Sequence, residues 1–515
     1  MAGSSYDALV IGAGHNGLAC AAILAKAGQK TLILEANETA GGLAGTREFT
    51  AGFSAPMAHS AAALPKTMID ELKLSSYGLE VGPALETVGL SEDGQHVHVI
   101  GDTVTGATDA DAAAYPEYRA KLQRYAKVLK PIWEATLPRI GASSLKEALI
   151  YAQGALKMRM LGKEDMSEFL RILTLPMRDL VDEVFEDPKL QAVLSWDGLI
   201  GSKMAPRSPN NAVLPMLLRL GGVHGGDHMV PKGGMGAITK ALLAAAQKQG
   251  VEVRFGAPIK KVIVEGSEAG QKATGVELVN GEIISAPKVI SSADPKTTFF
   301  DLVGAPAFDV QFASRIKRLR AQGYVARFNA ALSGLPDVPG LDGLSGRYII
   351  APSFDAIEFA FDDAKYGDAS QHPVMEVTFP SVHDASLAPE GKHVLSAHVM
   401  YAPHDERSDW SHDARIRFTK AIGDALERHM PGIGSLIIQA ELLTPKDIAA
   451  DYHVAGGHWH HGEMALDQML MMRPTYHAAQ YSTPLQGLYL CGAGTHPGGG
   501  ITGLPGRNAA RQILR

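Results

Sequence analysis

Hydrophobic positions cluster first at Tyr6–Ile11, a short, mostly apolar run interrupted by Asp7 that ends at Gly12. Such a run reads as a buried strand. An Ala- and Leu-rich stretch from His15 to Ala27 follows and stops at Gly28, the pattern of a helix and its C-terminal glycine. Thr31–Leu34 is a second apolar strand, closed by Glu35. Strand, helix and strand within about 30 residues imply parallel pairing with a right-handed crossover. From Pro65 to about Arg219 the periodicity becomes helical, punctuated by prolines. Glycine-rich sequence returns at Gly221–Gly236, then a helix over Ala237–Gln249 and short strands at 251–255, 259–264, 275–279, 282–284 and 288–292, with an Asn280-Gly281 turn. Residues 296–450 mix helices and strands. The chain closes as strand (Gly487–Cys491), glycine loop (Gly492–Gly503) and helix (Pro505–Leu514). The pattern predicts an α/β protein with a mostly helical insert.

Ala8–Ala25 is long and apolar enough to suggest a membrane span, but Gly12, Gly14 and Gly17 interrupt it. The first residues carry no basic side chain, unlike a secretory signal. A soluble, cytoplasmic protein is expected, with membrane contact at most peripheral. The basic residues Lys157, Arg159, Lys163, Arg171 and Arg178 would provide that contact, although acidic neighbours dilute them. A net charge of −7 argues against nucleic acid as a partner. The two cysteines lie in separate motifs and form no CxxC, which excludes a dithiol redox pair of that type and a four-cysteine zinc site.

Gly12-Ala-Gly14-His-Asn-Gly17 leaves the first strand and enters the first helix. In that context the spacing is a dinucleotide fingerprint. Gly12 allows the tight turn, Gly14 admits a pyrophosphate, and Gly17 lets helix and strand approach. The helix start offers unpaired N–H groups to phosphate. Glu35 lies roughly 20 residues farther on, where a carboxylate accepts from ribose hydroxyls. The plainer alternative is a glycine turn in an ordinary βαβ unit. A second glycine turn, Gly41-Gly42 with Gly45-Thr46, suits a ligand that continues past the adenosine.

Glu35-Ala-x-x-x-x-Gly41-Gly42-x-x-x-Thr46 resembles the second FAD motif of the flavin amine oxidase and phytoene desaturase superfamily. Pro231-Lys-Gly-Gly-Met-Gly236 with Ala257–Val262 resembles its middle motif, and Lys288–Pro295 its closing strand. Gly492-Ala-Gly-Thr-His-Pro-Gly-Gly-Gly500-Ile-Thr-Gly503 is similar to the phytoene-desaturase-like branch. The resemblance spans the chain. It implies a Rossmann-type FAD-binding domain built from residues 1–64, 225–296 and 455–515, with an α+β substrate domain from 65–224 and 297–454. It also implies roles. Gly12, Gly14, Gly17 and Glu35 would hold the pyrophosphate and ribose. Gly41, Gly42 and Thr46 would pass the phosphates and ribityl chain. Ile259 would meet the adenine, Gly492, Ala493 and Gly494 the pyrophosphate and ribityl chain, and Ile501, Thr502 and Gly503 the flavin. Many relatives carry an arginine between the ribose glutamate and the glycine pair; Asn37–Ala40 contains none.

The implied activity is an FAD-dependent dehydrogenase or desaturase that forms a C=C bond in a small, apolar or cyclic substrate. Its electron acceptor would be oxygen or a quinone, since no second nucleotide fingerprint is present. Amine oxidation, redox-neutral isomerisation and a non-catalytic flavin scaffold are the alternatives. His461 and Glu463 are the candidate catalytic pair, within a cluster containing His453, His458 and His460. That cluster lacks a familiar zinc spacing, so no metal is expected. Arg473 is placed to pair with Glu463 or with an acidic substrate, His496 to stabilise its turn or line the flavin, and His59 and Tyr324 to line a pocket or pack in the core.

Overall fold

The computed structural model describes residues 6–138, 145–209, 212–266 and 270–515. Its organising element is a five-stranded parallel sheet. Ala8–Ile11 sits at the centre, between Thr31–Leu34 and Val289–Ser291, with Glu252–Arg254 and Leu488–Leu490 at the edges. The three inner strands are buried at every position. This explains their unbroken apolar sequences: a parallel sheet is covered on both faces.

Three helices, His15–Lys26, Gly236–Lys248 and Leu504–Ile513, pack together beside the sheet. Two glycines set their spacing. A Cβ at Gly17 would lie 2.1 Å from the Gly12 carbonyl oxygen, and one at Gly506 would lie 2.0 Å from that of Asn16. Neither position has room for a side chain. Ile259–Glu265, Lys272–Leu278 and Ile283–Ser285 form a separate antiparallel sheet, as the Asn280-Gly281 turn predicts.

The second large layer is an eight-stranded sheet that includes Val325–Leu332, His393–Met400, Met375–Thr378 and Arg347–Ile350. Its far edge departs from expectation. Thr87–Gly89, Val97–Ile100 and Thr103–Thr105 come from the region read as helical. Three- and four-residue strands are too short to show a period of two. Helices dominate the rest of that region, among them Asp109–Trp133, which runs through Pro116 and Pro131.

The basic face proposed for membrane contact is laced with ion pairs: Arg171 binds Glu168 and Glu183, and Arg178 binds Asp182. Among the described residues, no helix is long and apolar enough to cross a membrane.

Candidate active site

A cleft of about 540 Å³ follows the carboxyl ends of the parallel strands. The loops after Ile11, Leu34, Ser291 and Leu490 all reach it, which is where open α/β sheets bind ligands. Gly12, Gly14, Gly17, Glu35, Gly41, Gly42, Ile259 and Ala493 line it. Gly12 has φ +92° and Gly41 φ +132°, conformations that favour glycine. A Cβ on Gly14 would meet nothing closer than 4.0 Å, so this turn is open to a ligand. The first helix has no side-chain cap at Gly14, and its first amides are left for one.

Glu35 does more than expected. Its carboxylate accepts from the Ala13 amide at 2.6 Å and the Asn37 amide at 3.0 Å. The Gly41 amide donates to the Ala13 carbonyl at 3.0 Å. The acidic strand end therefore helps lock the two glycine turns together, and its remaining lone pairs are available to ribose. Open glycine turn, uncapped helix start and buried carboxylate together fit the adenosine diphosphate of FAD.

Thr46, Gly492, Gly494, Thr502 and Gly503 line neither this cleft nor the cavity next to it. Thr46 faces a small separate void. A Cβ at Gly492 would lie 2.3 Å from the Ser292 carbonyl oxygen, and one at Gly494 would lie 2.4 Å from Pro295 Cδ. The Leu504 amide donates to Thr502 Oγ1 at 3.2 Å, while Gly503, at φ +67°, packs on Met68. These residues shape the C-terminal loop. Ile501 lines the adjoining cavity.

That cavity, about 140 Å³, shares His15, Leu43, Trp459 and Ala493 with the cleft. Its wall is partly apolar, with Leu43, Met57, Ala61, Ile200 and Ile501, and also carries Arg219, Arg347, Glu376, His59, His228, His398 and Ser60. Ser60 Oγ donates to His228 Nδ1 at 2.6 Å, since His228 Nε2 donates to Asp197 Oδ2 at 2.9 Å. Asp197 also meets Arg347 Nη2 at 2.5 Å. The same Arg347 nitrogen lies 2.7 Å from Glu376 Oε2, which also accepts from Trp196 Nε1 at 3.0 Å. Glu376 Oε1 receives His59 Nδ1 at 3.0 Å, and His59 stacks on His398 at 3.6 Å between ring centroids. Burial alone would raise both carboxyls, but Arg347 and the neighbouring histidines hold Asp197 and Glu376 well below their ordinary values. Burial lowers His59 to about 4. His59, Glu376 and His398 converge closely enough to suggest a metal site. However, Arg347 on Glu376 and Arg327 Nη1, 2.5 Å from His398 Nε2, place two positive charges against a cation.

Of the candidate catalytic pair, His461 lines the cleft, at φ +58° and with its pKa lowered to about 4, chiefly by burial. Glu463 lines neither cavity. Its carboxylate is held by Arg320 Nε at 2.5 Å, and burial raises its pKa. Arg473 does not meet the Glu463 carboxylate; it donates to the backbone carbonyls of Ala493, Glu463, Gln468, His460 and Gly462. His453 lines the cleft and His460 the cavity, while His458 is buried and accepts from the His460 amide at 3.2 Å. His496 hydrogen-bonds the Ile132 carbonyl at 2.8 Å and stacks on Trp133. Tyr324 is buried away from both cavities, beneath Lys203.

Asp197, Arg219, His228, Arg347, Glu376 and His398 were not singled out in the sequence. A signal existed: Arg347, Glu376 and His398 are polar side chains inside apolar strands, buried on a sheet face.

The chain matches the family described as "Flavin containing amine oxidoreductase" over residues 17–332. It is 32% identical to mouse pyridine nucleotide-disulfide oxidoreductase domain-containing protein 2, covering 99% of this chain and 93% of that protein. A limonene dehydrogenase polypeptide of Castellaniella defragrans is 26% identical over 99% and 94% of the two chains. A solved putrescine oxidase double mutant superposes with a TM-score of 0.60 at 17% identity, covering 99% of each chain. The chain belongs to the flavin-containing amine oxidoreductase family, as an FAD-dependent oxidoreductase.

Proposed function

We propose that this enzyme is a dehydrogenase that removes a hydride and a proton from adjacent positions of a small molecule, leaving a double bond. The observation that carries this reading is the Ser60–His228–Asp197 line, which opens on the cavity beside the FAD cleft. FAD held there would supply the hydride acceptor, with oxygen or a quinone-like compound as the terminal electron acceptor. Ser60 Oγ takes the companion proton from substrate as its own proton moves to His228 Nδ1. Asp197 stabilises the imidazolium that results, and Arg347 keeps Asp197 ionised. His461 is a wall residue of the cleft, and Glu463 an anchor of its own segment through Arg320. FAD would be bound by segments 1–64, 225–296 and 455–515. Ser60 and His228 come from these, while Asp197 and Glu376 come from the inserts 65–224 and 297–454, so the cavity would lie between two domains.

Similarity to a limonene dehydrogenase polypeptide and to phytoene desaturases supports a dehydrogenation. Arg219, whose Nε and Nη2 meet no protein acceptor, faces the cavity and opposes a protonated amine, which disfavours amine oxidation. Ser60→Ala tests the reading. With a substrate found by anaerobic flavin bleaching, the variant should bleach about 10²-fold more slowly while its FAD content is unchanged. Bleaching at the wild-type rate would remove the relay from the mechanism.

A further inference from the structure

The charged groups of the cavity are paired unevenly. Arg347 is matched by two carboxylates, Asp197 at 2.5 Å and Glu376 at 2.7 Å. Arg219 is not. Its Nη1 donates to the backbone carbonyl of Asp197 and stands 3.4 Å from Oδ1 of the same residue, long for a charge-assisted bond. The Asp197 carboxylate is already shared between Arg347 and His228, and that of Glu376 among Arg347, Trp196 and His59. Among the described residues, no acceptor meets Nε or Nη2 of Arg219.

The Arg219 side chain is 18% exposed, and its Nε and Nη2 open on the cavity rather than being sealed within the protein. Three of the five N–H donors of this guanidinium, on Nε and Nη2, therefore face the cavity without a protein acceptor. The wall holds no carboxylate other than Glu376 to act as that acceptor. Arg327, behind His398, adds a further positive charge. Its Nη1 and Nη2 meet the carbonyls of Met57 and Pro56, Ser396 and His398, its Nε is buried without a partner, and no carboxylate is in contact.

We infer that the cavity takes a compact substrate bearing a carboxylate, docked on the unused Nε–Nη2 edge of Arg219. The inference rests on reading this cavity as the substrate site. A planar carboxylate matches the guanidinium edge through two parallel hydrogen bonds, which a hydroxyl or an amide does not reproduce. The volume of about 140 Å³ lies below the usual range of roughly 300–1,000 Å³ for drug-sized ligands, and so favours a small acid over an extended hydrocarbon. Asp197 contacts both Arg219 and His228, so anion docking and proton acceptance meet on one carboxylate.

The test uses FAD-loaded protein and needs no turnover. Benzoate, benzamide, benzylamine and inorganic phosphate are titrated separately, read by the visible flavin spectrum and independently by calorimetry. Benzoate should bind saturably, and benzamide and benzylamine at least about 10-fold more weakly. Arg219→Met should weaken benzoate by about 10- to 100-fold with FAD content retained, and Arg219→Lys by less. Equal binding of benzoate and benzamide, tighter binding of benzylamine or phosphate, or no benzoate binding by wild type would each overturn the inference. The wild-type series decides even if Arg219→Met does not fold. Failure of the dehydrogenase reading appears elsewhere, as wild-type bleaching by Ser60→Ala, so the two results are separable.

Discussion

The cleft is built from backbone, whereas the polar wall of the cavity beside it is built from side chains. In the cleft, glycine turns and an uncapped helix start do the recognising, and one carboxylate ties the turns together. In the cavity, Ser60, Asp197, His228, Arg347 and Glu376 arrive from five separate stretches of chain and meet in a nearly closed hydrogen-bond network. A backbone site tolerates little change of shape, because an added atom meets a main-chain oxygen. A side-chain site can be retuned residue by residue while the fold stands. Within one family, this arrangement keeps the cofactor constant and leaves the substrate free to differ.

The sharpest way to break the comparison is Gly17→Val. Its Cβ would fall 2.1 Å from the Gly12 carbonyl oxygen, so strand and helix must separate. The expected result is loss of bound FAD and at least 1–3 kcal/mol of stability, on the order seen for overpacking. A variant that purifies yellow with wild-type FAD content would show that the cleft is less rigid than its geometry implies.

Acid tests the cavity side next. His15 and His59, both on its wall, and His496 are lowered to about 4 from 6.5, chiefly by burial. Between those values the unfolded chain binds more protons than the folded one, so stability falls as pH drops from 6.5 toward 4 and is level above 6.5. Each histidine contributes on the order of 2 kcal/mol to the loss at pH 5. The depressed Asp197 and Glu376 lose their contribution only at lower pH, as it falls through their folded values. Melting temperatures at pH 7.5 and 5 should differ by many degrees, and His496→Asn should flatten the slope by one group. Equal melting temperatures would mean that these imidazoles are not held neutral.

The smallest effect is expected at Glu463, which lines neither cavity. Glu463→Gln should change stability by about 1 kcal/mol and leave FAD content and bleaching unchanged, because Arg320 is partly exposed and keeps Asp467 at 2.7 Å. A 10²-fold slower bleaching would return Glu463 to the chemistry.

The cleft was legible because its information is local. Gly12, Gly14, Gly17 and Glu35 lie within one βαβ unit, and each is required by backbone conformation, close approach or strand position. The C-terminal loop was legible as a motif but not in detail: Gly492 and Gly494 are small because Ser292 and Pro295 press on them. The cavity was largely hidden. His228 acquires its meaning only beside Ser60 and Asp197, which are far from it in the chain. Cys20 and Cys491 show the same limit. They look unrelated in sequence, yet burial beside Cys20 pushes the Cys491 thiol well up.

The amino-acid sequence by itself determined an α/β dinucleotide-binding fold, because that depends on short-range backbone geometry that glycine spacing encodes, and its resemblance to the flavin amine oxidase and phytoene desaturase superfamily supplied FAD and the oxidoreductase class. Tertiary structure alone decided that a charged cavity adjoins the cofactor cleft, with Arg219 left half-paired on its wall. Electrostatic pairing acts over a few ångströms in space and is indifferent to separation along the chain, so no window of sequence contains it.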